Sequence, residues 1–124
     1  VEATDSSANE VTLWGTGKAT REFLYVDDAA EAILLAMRKY DSPDPVNLGS
    51  GEEVSIRNLS LMIGNAVGFS GRSLWDKSKP DGQPRRNLDT TKAREEFGFV
   101  SSVSLSAGLD RTIEWYRDTR HAIK

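Results

Sequence analysis

The sequence contains no cysteine, a single histidine and no long apolar run. Without cysteine there can be no disulfide, thiolate zinc site or cysteine nucleophile. We expect no catalytic role for the histidine, His121, which lies near the C-terminal end, and no cluster of histidines and carboxylates indicates a metal site. A membrane span needs about 20 apolar residues, so we expect no membrane partner. The sequence predicts a soluble, cytoplasmic protein.

The sequence also lacks an excess of positive charge. Its 16 basic and 19 acidic residues are interleaved and give a formal net charge of -3 at pH 7. Non-specific nucleic-acid binding relies on a broad positive field, so we expect no nucleic-acid partner. The length of 124 residues suits one domain with one core.

Short apolar runs alternate with segments of helical periodicity, which predicts one α/β unit with short strands and about four helices. The polar residues 1–10 are interpreted as a lead-in or linker, and residues 11–124 as the domain. Strands are expected at 11–14, 22–26, 46–51 and 72–76. Helices are expected at about 28–40, 55–68, 89–98 and from 104 onward.

Two of the helices carry more specific predictions. In the first, Asp28 is expected to cap the N-terminus. Its buried face is expected to consist of Ala30, Ile33, Leu34 and Met37. In the second, Ser55 suits the N-cap and Gly68 a left-handed C-cap.

Two glycine-containing segments match nucleotide-binding motifs only in part. In WGTGKATR (14–21), a P-loop would need glycine and Ser or Thr at the positions held by Thr12 and Ala19. In GSGEEV (49–54), the sixth position is Val54, and two glutamates would lie where a pyrophosphate must bind. We therefore expect neither a nucleoside-triphosphatase loop nor a dinucleotide site.

The segment KSKPDGQPRR (77–86) is a stronger candidate for anion binding. It contains four cations with only Asp81 among them, and it is restrained by two prolines and a glycine. Arginine suits bidentate phosphate contacts, and proline lowers the entropy lost when a loop is ordered around a ligand. We expect this basic loop to be mobile without ligand. A solvated surface loop is the alternative interpretation.

Three long motifs, WGTGKATREFLYVDDAAEAI, VNLGSGEEVSIRNL and WDKSKPDGQPRRNLDTTKAREEFGF, resemble the C-terminal portion of the GDP-L-fucose synthase family. These enzymes are NADP-dependent epimerase/reductases of the extended short-chain dehydrogenase/reductase class, within the NAD-dependent epimerase/dehydratase family. The similarity runs from about Val11 to Tyr116. It implies a C-terminal substrate-binding lobe whose N-terminal Rossmann domain is absent from this chain.

The family's catalytic Tyr-x-x-x-Lys motif is missing. Four residues beyond Tyr25, Tyr40 and Tyr116 stand alanine, aspartate and arginine instead of lysine. The resemblance therefore implies that the catalytic residues and the bound NADP belong to the Rossmann domain. We expect no catalytic, cofactor-binding or metal-binding residue in this chain, and no activity from the chain alone.

The resemblance also implies a set of substrate contacts, namely Trp14, Arg21, Asp76, Asp81 and Arg86. A tight glycine turn would let the Trp14 ring approach a nucleotide, and Arg21 would hold the diphosphate. A tryptophan at a strand end is, however, usually a core residue. Arg86 stands where many relatives are expected to have lysine, which keeps the charge but changes the geometry.

The implied function is the substrate-binding lobe of an NADPH-dependent 3,5-epimerase/4-reductase acting on GDP-4-keto-6-deoxy-D-mannose. The implied partners are the GDP-sugar, the Rossmann domain and, for the full-length enzyme, a second copy in a homodimer. Two alternatives stay open: another nucleotide-sugar epimerase or dehydratase of the same family, and a stand-alone, non-catalytic binding module. Base preference tests the first alternative, and the sequence upstream of Val1 tests the second.

Overall fold

The computed structural model describes residues 1–122 and confirms the α/β class. The strands are β1 (Glu10–Trp14), β2 (Thr20–Glu22), β3 (Glu53–Ser55), β4 (Arg72–Asp76) and β5 (Arg85–Arg86). The helices are α1 (Glu2–Asp5), α2 (Val26–Lys39), α3 (Ile56–Val67), α4 (Thr91–Phe97) and α5 (Leu105–Thr119). None of the helices in residues 1–122 combines the length and apolar character that a bilayer span requires.

The strands form two small sheets joined by the basic loop. In the first sheet, β1 and β4 run parallel, with Glu10 opposite Arg72 and Trp14 opposite Asp76. In the second, β2 is central, antiparallel to β3 and parallel to β5. Because the basic loop leaves β4 and enters β5, it crosses from one sheet to the other.

A compact cluster of small and aromatic side chains fills the space between α2 and α4. Ala32 and Ala93 are fully buried, and Phe97 and Phe99 nearly so. The ring of Tyr40 meets that of Phe97 edge-on, with centroids 5.7 Å apart. These contacts fix α2 against α4 and the segment that follows it.

Helix α3 has the ends that its sequence predicts. The Ser55 hydroxyl accepts a hydrogen bond from the Asn58 N–H at 3.1 Å, and Gly68 takes the left-handed conformation with φ of 70°. Helix α5 begins in the same way, because the Ser104 hydroxyl accepts from the Ala107 N–H at 3.3 Å. Both caps satisfy backbone N–H groups that the first helical turn leaves unpaired.

The capping role predicted for Asp28 is wrong. Helix α2 begins at Val26, which places Asp28 inside the first turn, where it exposes only 3% of its surface. Its carboxylate accepts hydrogen bonds from the N–H and hydroxyl of Ser102 and from the N–H of Val103, at 2.8 to 3.0 Å. Asp28 therefore joins α2 to the segment that leads into α5.

The predicted buried face of α2 is also wrong. Ala30 is exposed, and the exposed fractions of Ile33, Leu34 and Met37 are 53%, 51% and 78%. The core contacts come from the other side of the helix, through Ala32, Leu35 and Ala36. The sequence correctly indicates an apolar face, but no described element of this chain covers it.

Two predicted strands differ in the structure. The run at 22–26 contributes only Glu22 to a strand, because β2 takes the residues that pair with β3 and β5. Residues 46–51 form no strand with any element of residues 1–122. Val46 and Leu48 instead pack against the cluster between α2 and α4.

Candidate functional site

Arg21 and Arg86 lie side by side on paired strands. They are partners in the parallel register of β2 and β5, so their side chains leave the same face of the sheet. Nη1 of Arg21 donates to the carbonyl oxygens of Thr20 at 2.6 Å and Gln83 at 2.8 Å. Within residues 1–122, neither guanidinium forms a salt bridge with a carboxylate. The pair is thus a local concentration of uncompensated positive charge.

Arg85, the neighbour of Arg86, is neutralised on the opposite face. Its Nε and Nη2 contact the two carboxylate oxygens of Glu53 at 2.8 to 3.0 Å, and the Thr20 hydroxyl donates to the same carboxylate. The hydrogen bonds from Arg85 and Thr20 lower the pKa of Glu53, and the carboxylate raises the pKa of Arg85. Arg85 is therefore committed to Glu53, whereas Arg86 is not.

Trp14 is a surface residue rather than a core residue. It ends β1 on the exposed side of the strand and leaves 70% of its surface accessible. The Lys79 ammonium lies 5.6 Å from the centre of its ring, which is the distance of a cation–π contact. The basic loop therefore contacts Trp14 with the Lys79 side chain, and it contacts Arg21 with the Gln83 carbonyl oxygen.

Asp81 is turned toward the glycine turn that follows β1. Its Oδ1 accepts from the Thr16 N–H and its Oδ2 from the Thr16 hydroxyl, each at 2.6 Å. These hydrogen bonds, first the hydroxyl and then the backbone, lower the pKa of Asp81. A Cβ on Gly15, which has φ of 78°, would lie 2.3 Å from Asp81 Oδ1. Only glycine allows this close approach.

Asp76 stabilises the first turn of the basic loop. Its Oδ1 accepts from the Ser78 N–H at 3.0 Å and from the Ser78 hydroxyl at 2.6 Å. The structure thus gathers Trp14, Arg21, Asp81 and Arg86 around one loop, with Asp76 at its base. These contacts anchor the loop at several points, and its ordering by a ligand stays a prediction.

The chain is similar to several known proteins. Residues 2–49 match the model of the NAD dependent epimerase/dehydratase family. A probable GDP-L-fucose synthase 1 of Oryza sativa subsp. japonica is 47% identical over 93% of this chain, and the GDP-L-fucose synthase of Escherichia coli is 38% identical over 96% of it. The chain is therefore similar to members of the NAD dependent epimerase/dehydratase family.

Solved structures of related enzymes have the same fold. A GDP-L-fucose synthetase from Naegleria fowleri bound to NADP superposes on 97% of this chain with a TM-score of 0.89 and 28% identity, and 38% of that protein is covered. A UDP-glucose 4-epimerase from Thermotoga maritima with UDP-glucose superposes on 90% of this chain with a TM-score of 0.81 and 33% identity, and 36% of that protein is covered. The chain spans only 35% of the rice relative and 40% of the bacterial one.

The sequence pattern did not indicate three contacts of this candidate site. Thr16 donates hydrogen bonds to Asp81, Glu53 pairs with Arg85, and Lys79 makes a cation–π contact with the Trp14 ring. Thr16 and Asp81 are separated by 65 positions, and no local motif signals their pairing. Within residues 1–122, no group of three or more His, Asp or Glu side chains could hold a metal ion.

Proposed function

We propose that the chain is the substrate-binding lobe of an NADPH-dependent 3,5-epimerase/4-reductase that acts on GDP-4-keto-6-deoxy-D-mannose. The observation that carries this proposal is the pair of Arg21 and Arg86, which has no carboxylate partner in the described chain. The two residues lie opposite each other on the paired strands β2 and β5. Two guanidinium groups on neighbouring strands complement the charge of a diphosphate.

Each residue of the site would have a distinct task. Arg21 and Arg86 would bind the diphosphate, with Arg21 oriented by its two backbone contacts. The exposed Trp14 ring would stack on a planar or apolar part of the ligand. Asp81 would accept hydrogen bonds from ligand hydroxyls.

Asp76 would make the same kind of contact at the loop's base, since the described chain uses only its Oδ1. Together the five residues would orient the nucleotide-sugar and exclude water, while the reacting groups come from elsewhere.

The cofactor would be NADP, held by a Rossmann domain outside this chain. The residues present do not fit a dinucleotide, because GSGEEV leads into the strand β3 rather than a helix N-terminus, and its Glu53 carboxylate is engaged by Arg85. These residues would therefore take no direct part in hydride transfer. The NADP-bound Naegleria fowleri relative supports the cofactor assignment.

The Rossmann domain would also be the structural partner of this lobe. The apolar face of α2 is uncovered, and residues 46–51 have strand-forming character without a strand partner in the described chain. An α/β domain would cover the apolar face of α2, and residues 46–51 would add a strand to the sheet of that domain. The full-length enzyme is proposed to be a cytoplasmic homodimer, on the strength of the family resemblance.

A second candidate function is another nucleotide-sugar epimerase or dehydratase, with a uridine nucleotide as ligand. The similarity to a UDP-glucose 4-epimerase that holds UDP-glucose supports it. The identity of 38% to 47% with GDP-L-fucose synthases favours guanosine. A stand-alone, non-catalytic binding module would retain the same site without a partner domain.

The test is a calorimetric titration of the chain with GDP, UDP and NADPH. We expect GDP to bind with a dissociation constant no tighter than roughly millimolar, because half of the pocket wall lies outside the chain. NADPH should bind no better than another polyanion, and the chain should not oxidise NADPH in the presence of the keto-sugar. A preference for UDP would contradict the substrate, and measurable turnover would contradict the division of labour.

The neighbouring arginines provide a matched pair of variants. Arg86→Ala should weaken GDP binding about tenfold, because it removes a charged hydrogen-bond donor worth ~1.5 kcal/mol. Arg85→Ala removes the same side chain from the opposite face and should change the affinity less than about twofold. Equal losses for the two variants would mean that only net charge matters and that the Arg21 and Arg86 pair is not the diphosphate site.

A further inference from the structure

The glycine turn at residues 15–17 is a rigid part of the lobe. Nη2 of Arg57 donates to the Thr16 carbonyl oxygen at 2.8 Å, and the Arg57 N–H donates to the Gly17 carbonyl oxygen at 2.9 Å. The Arg57 guanidinium in turn lies 5.0 Å from the centre of the Trp75 ring. A Cβ on Gly17 would lie 2.4 Å from that ring. Helix α3 and strand β4 therefore fix the turn from two sides.

Thr16 connects this rigid turn to the basic loop. Its N–H and its hydroxyl donate to different oxygens of the Asp81 carboxylate, both at 2.6 Å. Two donors from one residue fix the plane of the carboxylate as well as its position. A carboxylate offers about four lone-pair sites, so Asp81 can still accept a hydrogen bond from a ligand.

We propose that Thr16 is a positioning residue that sets the orientation of Asp81 and the closed position of the basic loop around the nucleotide-sugar. This inference rests on the proposed function, because Asp81 is assigned there as a ligand contact. Thr16 does not need to touch the ligand. It would affect binding indirectly, by orienting Asp81 and by holding the basic loop in place. In that position Lys79 contacts Trp14, and the Gln83 carbonyl oxygen accepts a hydrogen bond from Arg21.

The geometry specifies which substitutions preserve this role. Serine keeps both donors, the N–H and the hydroxyl. Valine keeps the shape and the N–H but loses the hydroxyl that donates to Oδ2 of Asp81. Thr12 supplies a matched control, because it is an exposed threonine of β1 whose side chain has no hydrogen bond within the described residues.

The experiment is a double-mutant cycle read by GDP titration of the chain. Thr16→Val should weaken GDP binding about five- to tenfold, whereas Thr16→Ser and the control Thr12→Val should stay within about twofold of the parent. In an Asp81→Ala background, Thr16→Val should have no further effect. Full additivity of the two substitutions would overturn the proposal, because Thr16 would then act independently of Asp81.

A second readout needs no ligand and separates this inference from the proposed function. Hydrogen exchange of the free chain should show faster exchange at residues 78–82 in Thr16→Val, with no additional acceleration in the double variant. If GDP does not bind the parent chain but this exchange pattern appears, the proposed function fails and the link between Thr16 and the loop stands. Unchanged exchange in Thr16→Val would overturn the inference.

Discussion

At the scale of single residues, Asp28 links helix α2 to the segment that leads into α5, at least 74 positions away in the sequence. Burial by itself raises the pKa of its carboxyl, but hydrogen bonds from Val103 and Ser102 outweigh this cost, and the pKa lies below its ordinary value. A carboxylate that accepts three hydrogen bonds stays charged in the interior at neutral pH. The charged carboxylate thus helps to hold α2 against the segment that leads into α5.

Asp28→Asn should lower the free energy of unfolding by about 1.5–3 kcal/mol, because an amide nitrogen would face N–H donors that now meet a carboxylate oxygen. The matched control is Asp27→Asn, which alters an exposed carboxylate in the same helical turn and should change stability by less than about 0.5 kcal/mol. Urea unfolding measures both variants. Equal stability of the two would mean that the Asp28 contacts contribute nothing net.

The same carboxylate predicts a dependence of stability on pH. Since the folded state lowers the pKa of Asp28, its contribution is fully present above the ordinary aspartate pKa of 3.8 and is lost as pH falls through the lower folded value. The parent chain should therefore lose more stability below pH 3.8 than Asp28→Asn does. Parallel acid unfolding curves for the two proteins would contradict this linkage.

At the scale of elements, the local sequence determines that α2 is a helix, whereas tertiary contacts determine which of its faces is buried. Its hydrophobic periodicity predicts an amphipathic helix, and the helix is present. The periodicity does not indicate which part of the protein covers the apolar face, and Ile33, Leu34 and Met37 remain uncovered in the described chain. In the proposed enzyme, the Rossmann domain would cover this face.

An exposed apolar face of this kind should drive self-association of the chain. Met37→Glu should reduce that association while changing stability by less than about 0.5 kcal/mol, because Met37 is 78% exposed. Leu35→Glu, two positions earlier and packed on the core cluster, should instead destabilise the fold. Sedimentation analysis and thermal unfolding distinguish these effects. Association that persists unchanged in Met37→Glu would assign it to a different surface.

Other elements show why some predictions were confirmed and others were not. The ends of α3 follow from Ser55 and Gly68, whose capping chemistry is local. A strand, in contrast, needs a partner, so the apolar run at 22–26 and the segment 46–51 did not define the observed pairing. The two-residue strand β5 forms in a loop without any strand signal, because β2 offers it an edge.

At the scale of the whole molecule, the candidate site depends on contacts between distant parts of the chain. The composition of the basic loop indicates anion binding, but it cannot separate Arg86 from Arg85. That distinction requires the register of β2 with β5 and the position of Glu53. Likewise, the pairing of Thr16 with Asp81 crosses 65 positions and exists only in the folded lobe.

If this lobe binds a guanosine diphosphate-sugar beside Trp14, GDP should change the surroundings of the Trp14 ring. A GDP titration followed by the tryptophan indole N–H signals in ¹H–¹⁵N NMR spectra measures this directly. The chain has three tryptophans, which substitution by phenylalanine would assign. Trp115, which is 55% exposed on α5 and outside the proposed site, serves as the internal control. We expect GDP to shift the Trp14 signal progressively and to leave the Trp115 signal in place, with a smaller effect from UDP. An unmoved Trp14 signal at saturating GDP would show that the nucleotide does not bind beside Trp14.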